Sequence, residues 1–251
     1  MEEWYHYALL IIVGFAVGFI NTLAGGGSLL SLPVLIFLGL PSNVANGTNR
    51  VAIVIQTAIA TAGFKSKGVS TFPFNVYLGV SAFLGSIIGA NIAVDIKGDT
   101  FNKILSMVMM AVVLIIIFKP KIKIADLEER LTGKYLWVGI IAFFFFGIYG
   151  GFINAGLGFI MILFLHYVNH MNLVRANVTK VAVVFIYMLS ALAVFVLNDK
   201  VNWKIGLILA IGNGTGAWFA SRISVNKGDG FIKMFLIVMV VIMSIKLWFF
   251  N

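Results

Sequence analysis

Apolar residues run through this chain in long blocks broken by short polar stretches. Runs such as Phe101 to Phe118 and Phe231 to Phe250 approach or reach the roughly 20 helical residues that cross about 30 Å of hydrocarbon. Met107 to Phe118 is continuously apolar, whereas a strand of a membrane β-barrel would alternate over about ten residues, so the pattern predicts helices. Ten pieces are expected: 6–24, 26–40, 42–64, 72–95 and 100–118, then 135–155, 157–169, 172–197, 202–222 and 230–250. The second piece of each half is short. Fifteen residues rise about 22 Å, less than the hydrocarbon thickness, and Pro33 interrupts the first of these pieces.

The two halves share local sequence. Gly18-Phe19-Ile20-Asn21 returns as Gly151-Phe152-Ile153-Asn154, each preceded four residues earlier by a glycine, Gly14 or Gly147. Ala45-Asn46-Gly47-Thr48-Asn49-Arg50 answers to Ala176-Asn177-Val178-Thr179-Lys180, one residue shorter. Gly85 and Gly89 match Gly212 and Gly216, and Lys97-Gly98-Asp99 matches Lys227-Gly228-Asp229. A duplication therefore covers nearly the whole chain. It divides into a first transmembrane repeat, 1–118, a polar inter-repeat loop, 119–134, and a second transmembrane repeat, 135–251.

The loop charges bear on topology. If all ten pieces cross, twelve Lys and Arg residues fall on one face and five on the other, with Arg50 inside a segment and Lys180 counted among the loop cations. If the short pieces re-enter, the bias weakens to ten against seven. The stronger bias favours ten crossings under the positive-inside rule. The expected fold is an all-α polytopic membrane protein of two homologous halves, five helical segments each, with short or broken second segments. An odd number of crossings per half makes the repeat inverted. The alternative is eight full helices, four in each half, plus two re-entrant segments.

Composition agrees. With 61% hydrophobic residues, 11% charged residues and a mean hydropathy of +1.05, the chain needs lipid as its solvent. Glu2 and Glu3 replace the basic start of a signal peptide, so the first segment reads as retained. The net charge of +9 is spread in short clusters between apolar runs, which fits membrane orientation and not nucleic-acid binding. The absence of cysteine removes disulfides and thiolate chemistry.

Candidate chemistry gathers where the helices break. Gly25, Gly26, Gly27 and Ser28 separate the first two apolar pieces, and Asn154, Gly156 and Gly158 occupy the equivalent place in the second half. Irregular backbone at membrane depth survives only against protein or a water-filled cavity. A helix starting at Ser28 would point its positive dipole end at that cavity, a setting for an anion. Asn21, the partner of Asn154 in the repeat, joins this group. Asn46, Thr48, Asn49 and Arg50, with Asn177, Thr179 and Lys180 from the other half, add amide, hydroxyl and cationic donors. The blander reading of Arg50 and Lys180 is that they snorkel to the interface.

None of the nine acidic residues lies in the middle of an expected span, which argues against a cation carrier or proton pump. His166 and His170 lack a neighbouring carboxylate or cysteine to complete a metal site and read as interfacial. The glycine pairs at four-residue spacing read as close helix contacts. No metal or cofactor is implied. The expected partners are a small anion and the lipid bilayer. Whether a coupling ion, H+ or Na+, takes part, and the oligomeric state, are left open. The rival classes are an intramembrane enzyme acting on lipid or quinone and a non-transporting membrane assembly protein.

The succession Gly18-Phe-Ile-Asn-x-Leu-Ala-Gly-Gly-Gly-Ser28, then Leu32-Pro33-Val34-Leu35 and Leu38-Gly39-Leu40-Pro41, then Ala45-Asn46-Gly47-Thr48-Asn49, resembles the TauE/SafE sulfite exporter family, also called the 4-toluene sulfonate uptake permeases. The second half departs from this pattern, with Gly156-Leu157-Gly158-Phe159 in place of three glycines and no proline in 157–169. The resemblance implies secondary transport of sulfite, sulfonates or related sulfur oxyanions across the cytoplasmic membrane, commonly as export. Alternating access, with one repeat rocking against the other, would expose the pocket to each side in turn.

Overall fold

In the computed structural model, residues 4–117 and 128–249 are described; residues 119–127 of the polar inter-repeat loop lie outside them. The described residues form nine helices and no strand. These are α1 (Trp4–Leu23), α2 (Ser28–Phe37), α3 (Ser42–Lys65), α4 (Phe74–Asp95), α5 (Gly98–Ile117), α6 (Gly133–Phe152), α7 (Leu157–Tyr167), α8 (Leu173–Leu197) and α9 (Trp203–Phe249). Four of them, α1, α4, α6 and α8, are long and apolar enough to cross a membrane. The protein is thus an all-α, multi-pass membrane protein.

Local chemistry sets several helix ends. The Asn172 side chain caps α8 by accepting the Arg175 N–H at 2.8 Å. α2 closes in a Schellman turn at Gly39, whose φ is +89°, with Leu40 N–H returning to Leu35 O. At 10 and 11 residues, α2 and α7 rise about 15 and 16 Å, half the hydrocarbon thickness.

The structure departs from the sequence expectation in two places. Pieces 202–222 and 230–250 are one continuous helix, α9. A lone glycine in a helix costs only about 1 kcal/mol, and Asn226-Lys227-Gly228-Asp229 has no proline to stop it. In the first half the chain does leave the helix, through extended backbone at Ile96 (ψ 137°). Lys180, counted as a loop cation in the charge tally, is instead buried inside α8.

The halves are interleaved. The most extensive interfaces are α1 with α9 and α4 with α6, followed by α3 with α9 and α4 with α8. Each half therefore gives its fourth helix to the other half's first and third. The result is two bodies, one of α1, α2, α3 and α9 and one of α6, α7, α8 and α4, which meet chiefly where α3 packs on α8.

Glycines make the two principal interfaces close. Gly14 and Gly18 of α1 face the α9 backbone from Leu209 to Asn213, and Gly212 and Gly216 face α1 in return. Gly85 and Gly89 of α4 meet Phe144 and Ile148 of α6, while Gly147 and Gly151 meet Ala82 and Ser86. A Cβ at Gly14 would sit 2.7 Å from Leu209 O, so only glycine permits this approach.

Candidate functional site

The two helix breaks meet at the junction of the bodies. Gly25, at φ +83°, lies against the backbone of Gly158, so the N-terminal ends of α2 and α7 converge from opposite halves. α1 ends as Gly25 N–H bonds Asn21 O at 2.9 Å, and Gly27 caps α2 with its N–H toward Asn21 Oδ1 at 3.4 Å. Gly26 O accepts Leu29 N–H in the first turn of α2. On the other side, Asn154 (φ 56°) and Gly156 (φ 71°) take left-handed backbone to turn the chain from α6 into α7.

A cavity of about 10 Å³, room for about one water, sits at this meeting point. Its lining includes Asn21, Gly25, Asn154, Gly158 and Lys180 from the expected set. Gln56, Thr57, Val181 and Val184 complete it and were not anticipated.

Two polar networks, one in each body, hold the breaks in place. In the first, Asn21 Nδ2 donates to Gln56 Oε1 at 3.1 Å, Gln56 Nε2 donates to Thr22 Oγ1, and Asn213 Nδ2 also donates to Gln56 Oε1. In the second, Tyr187 O–H donates to Asn154 Oδ1 at 2.6 Å, and Ser86 O–H donates to Tyr187 O. Gln56 and Tyr187 are thus counterparts in the two halves, as are Asn213 and Ser86. Ser28 bridges the bodies by accepting from Asn154 Nδ2 at 3.3 Å and from Asn49 Nδ2 at 3.5 Å.

Both cations are buried, Arg50 at 1% exposure and Lys180 at 2%, so neither snorkels. Each reaches across to the carbonyl end of the other body's broken helix. Lys180 Nζ donates to Asn21 O at 2.9 Å and Thr22 O at 3.0 Å, at the C-terminus of α1. Arg50 donates to Gly150 O at 3.1 Å, Gly151 O at 2.6 Å and Phe152 O at 3.3 Å, at the C-terminus of α6. The Arg50 head is further boxed in by Asn46 Oδ1, Met188 sulfur and the Phe195 ring, 4.5 Å from its centroid. Asn46 itself donates to Phe152 O at 2.8 Å. Arg50 does not line the cavity; Lys180 does, and an ammonium has three N–H groups, one more than the two carbonyls engage.

The remaining expected residues lie apart from the cavity. Thr48 accepts Asn202 N–H at 2.9 Å and Thr179 donates to Thr71 Oγ1 at 3.0 Å, so each ties down the loop leading into a fourth helix. Asn177 is buried with neither amide atom partnered among the described residues.

The electrostatics are lopsided. Among the described residues, the buried charged side chains are Arg50 and Lys180, with no buried Asp or Glu to match them. The one ion pair found there, Arg175 with Glu129, lies at the surface. A helix C-terminus carries roughly half a negative charge, so each end offsets about half of its cation and leaves the junction positive.

The sequence was compared with known proteins against this geometry. The family model described as Sulfite exporter TauE/SafE matches residues 10–247. The chain belongs to the TauE/SafE sulfite exporter family. Relatives cover nearly the whole length of the chain. A probable membrane transporter protein of Haemophilus influenzae is 30% identical over 96% of this chain and 93% of its own. The probable membrane transporter protein YfcA of Escherichia coli is 28% identical over 95% and 88%. The Bacillus subtilis protein YunE, of the same description, is 22% identical over 96% and 94%. No solved structure matches the chain. Membership makes the protein a membrane transporter by family, with the broken helices and paired cations at its centre.

Proposed function

We propose that the protein is a secondary transporter of small anions in the cytoplasmic membrane, with sulfite, organosulfonates or related sulfur oxyanions as its substrate class. One observation carries this reading: Lys180 lines the cavity at the convergence of two helix N-termini, and no buried carboxylate among the described residues balances it. Helix N-termini and an ammonium both favour an oxyanion. The family and the names of its members support transport; the positive junction supports the sign of the substrate.

The mechanism is alternating access. A cavity with room for about one water is smaller than a sulfur oxyanion, so binding requires the bodies to part at the Gly25–Gly158 contact. The units that rock are the two interleaved bodies and not the repeats 1–118 and 135–251, because glycine seams fasten α9 to α1 and α4 to α6. Arg50 and Lys180 cross the junction between them and act as reciprocal latches. As the junction opens, Lys180 leaves its carbonyls and its charge turns to the arriving anion. An inverted arrangement of the two repeats would give the outward and inward openings equivalent geometry.

Proteoliposomes containing the purified protein test the reading. Saturable uptake of radiolabelled sulfite or a small sulfonate, competed by other oxyanions and lost in Lys180→Met, is expected. No saturable flux of sulfite, sulfonate or acetate in a correctly inserted protein sinks it.

A further inference from the structure

The carbonyl end of α1 is a cation seat. Asn21 O and Thr22 O point at one nitrogen from 2.9 and 3.0 Å, and Gln56, Thr57 and Asn154 line the adjoining cavity. In carriers built from broken helices, such carbonyl ends are where a free coupling cation is coordinated. Here the seat is filled by a side chain of the protein itself. The same holds at α6, where the Arg50 guanidinium meets three carbonyls.

We infer that Lys180 is a tethered replacement for a free monovalent cation: it sits in the α1 carbonyl seat, the carrier works without sodium, and removing the side chain opens that seat to Na+ or a similar ion. Three observations converge on this. The ammonium is fully enclosed and makes its bonds to backbone oxygens and not to an acid. The surrounding donors are neutral oxygens, the ligand class that suits hard monovalent and divalent cations. Arg50 likewise meets the carbonyl end of α6, so both broken-helix C-termini at the junction already carry a cation of the protein itself. The inference deepens the anion-transport reading of the same site, since a tethered cation supplies the charge balance that a co-transported one otherwise brings.

The test uses the full-length protein in detergent and in liposomes, with NaCl exchanged for choline chloride at constant ionic strength. Melting of the wild type should not respond to the exchange. Lys180→Ala, which vacates the seat, should melt about 3 °C or more higher in Na+ than in choline, the scale of shift for a site saturated by ligand. Lys180→Met, which keeps the bulk and loses the charge, should show no such shift. A wild type whose melting or anion flux needs Na+ overturns the inference, as does a Lys180→Ala variant indifferent to Li+, Na+ and K+ alike. If Lys180→Ala does not fold, the wild-type exchange decides: dependence on Na+ overturns it, independence supports it. The melting readout needs no flux, so an absence of anion transport beside the expected melting pattern counts against the transport reading alone.

Discussion

Gly25 and Gly158 touch backbone to backbone although 133 positions separate them, and this contact closes the cavity between the two bodies. A methyl group at Gly158 would lie 2.5 Å from Gly25 Cα, and overpacking of that kind costs about 1–3 kcal/mol. Gly25 carries a second constraint, its φ of +83°, which adds about 1–2 kcal/mol for any residue with a Cβ. Gly158→Ala is therefore expected to lower the melting temperature in detergent, and Gly25→Ala to lower it further. Equal effects would mean that the left-handed backbone at Gly25 relaxes.

The moving bodies can be tested because the chain has no cysteine of its own. Phe15 and Phe219 face each other within the first body, with ring centroids 6.2 Å apart. Phe101 of α5, a helix that packs on α3 and α9, faces Phe152 of α6 across the junction at 6.3 Å. Paired cysteines bridged by a short bis-maleimide should leave anion flux nearly intact at 15 and 219 and reduce it at least about tenfold at 101 and 152, each against its uncrosslinked self. A comparable loss at both pairs would make the sequence repeats the moving units, since each pair joins 1–118 to 135–251.

Much of this arrangement was legible in the sequence because duplication writes itself twice. The repeated Gly-Phe-Ile-Asn, the glycine pairs and the two helix breaks stand at matched positions, and the structure brings Gly25 against Gly158 and Gly14 against α9. The pairing of Arg50 with Lys180 was visible too, but not their partners, since carbonyl oxygens at a helix end belong to every residue type. Gln56 and Tyr187 escaped for a different reason. They are structural counterparts of unlike chemistry, so comparing the halves shows no match. Asn213 did leave a signal, an amide within the apolar run between Gly212 and Gly216. The interleaving was not legible at all, because the fourth helix of either half carries the same glycine pair.

Arg50 and Lys180 should part company under mutation. Arg50 spreads its donors over three carbonyls and Asn46 Oδ1, a fork that a lysine cannot reproduce. Arg50→Lys is expected to cost about 1–2 kcal/mol while retaining measurable flux, and Arg50→Met about 3 kcal/mol or more through unpartnered carbonyls. Lys180→Met, by contrast, should lose flux out of proportion to its stability. Melting curves beside flux assays separate the two. A flux loss in Arg50→Lys as complete as that in Lys180→Met would place Arg50 on the anion.

The last expectation concerns the two networks that hold the breaks. Tyr187→Phe removes one O–H, leaving Asn154 Oδ1 without its 2.6 Å donor, while Asn154 Nδ2 keeps its bond to Ser28. The loss of one hydrogen bond is worth about 1 kcal/mol. Gln56→Leu instead unpairs three groups together, the amides of Asn21 and Asn213 and the hydroxyl of Thr22. Stranding buried polar groups costs about 1–3 kcal/mol each, so this variant should be the less stable by at least 1 kcal/mol. It should also weaken anion binding more, because Gln56 lines the cavity and positions Asn21, whose carbonyl holds the Lys180 ammonium. The double variant supplies a further check. With Gln56 and Tyr187 in separate bodies and no hydrogen bond between them among the described residues, the two stability losses should add within about 0.5 kcal/mol, and a larger deviation would mean that the bodies are coupled through the breaks.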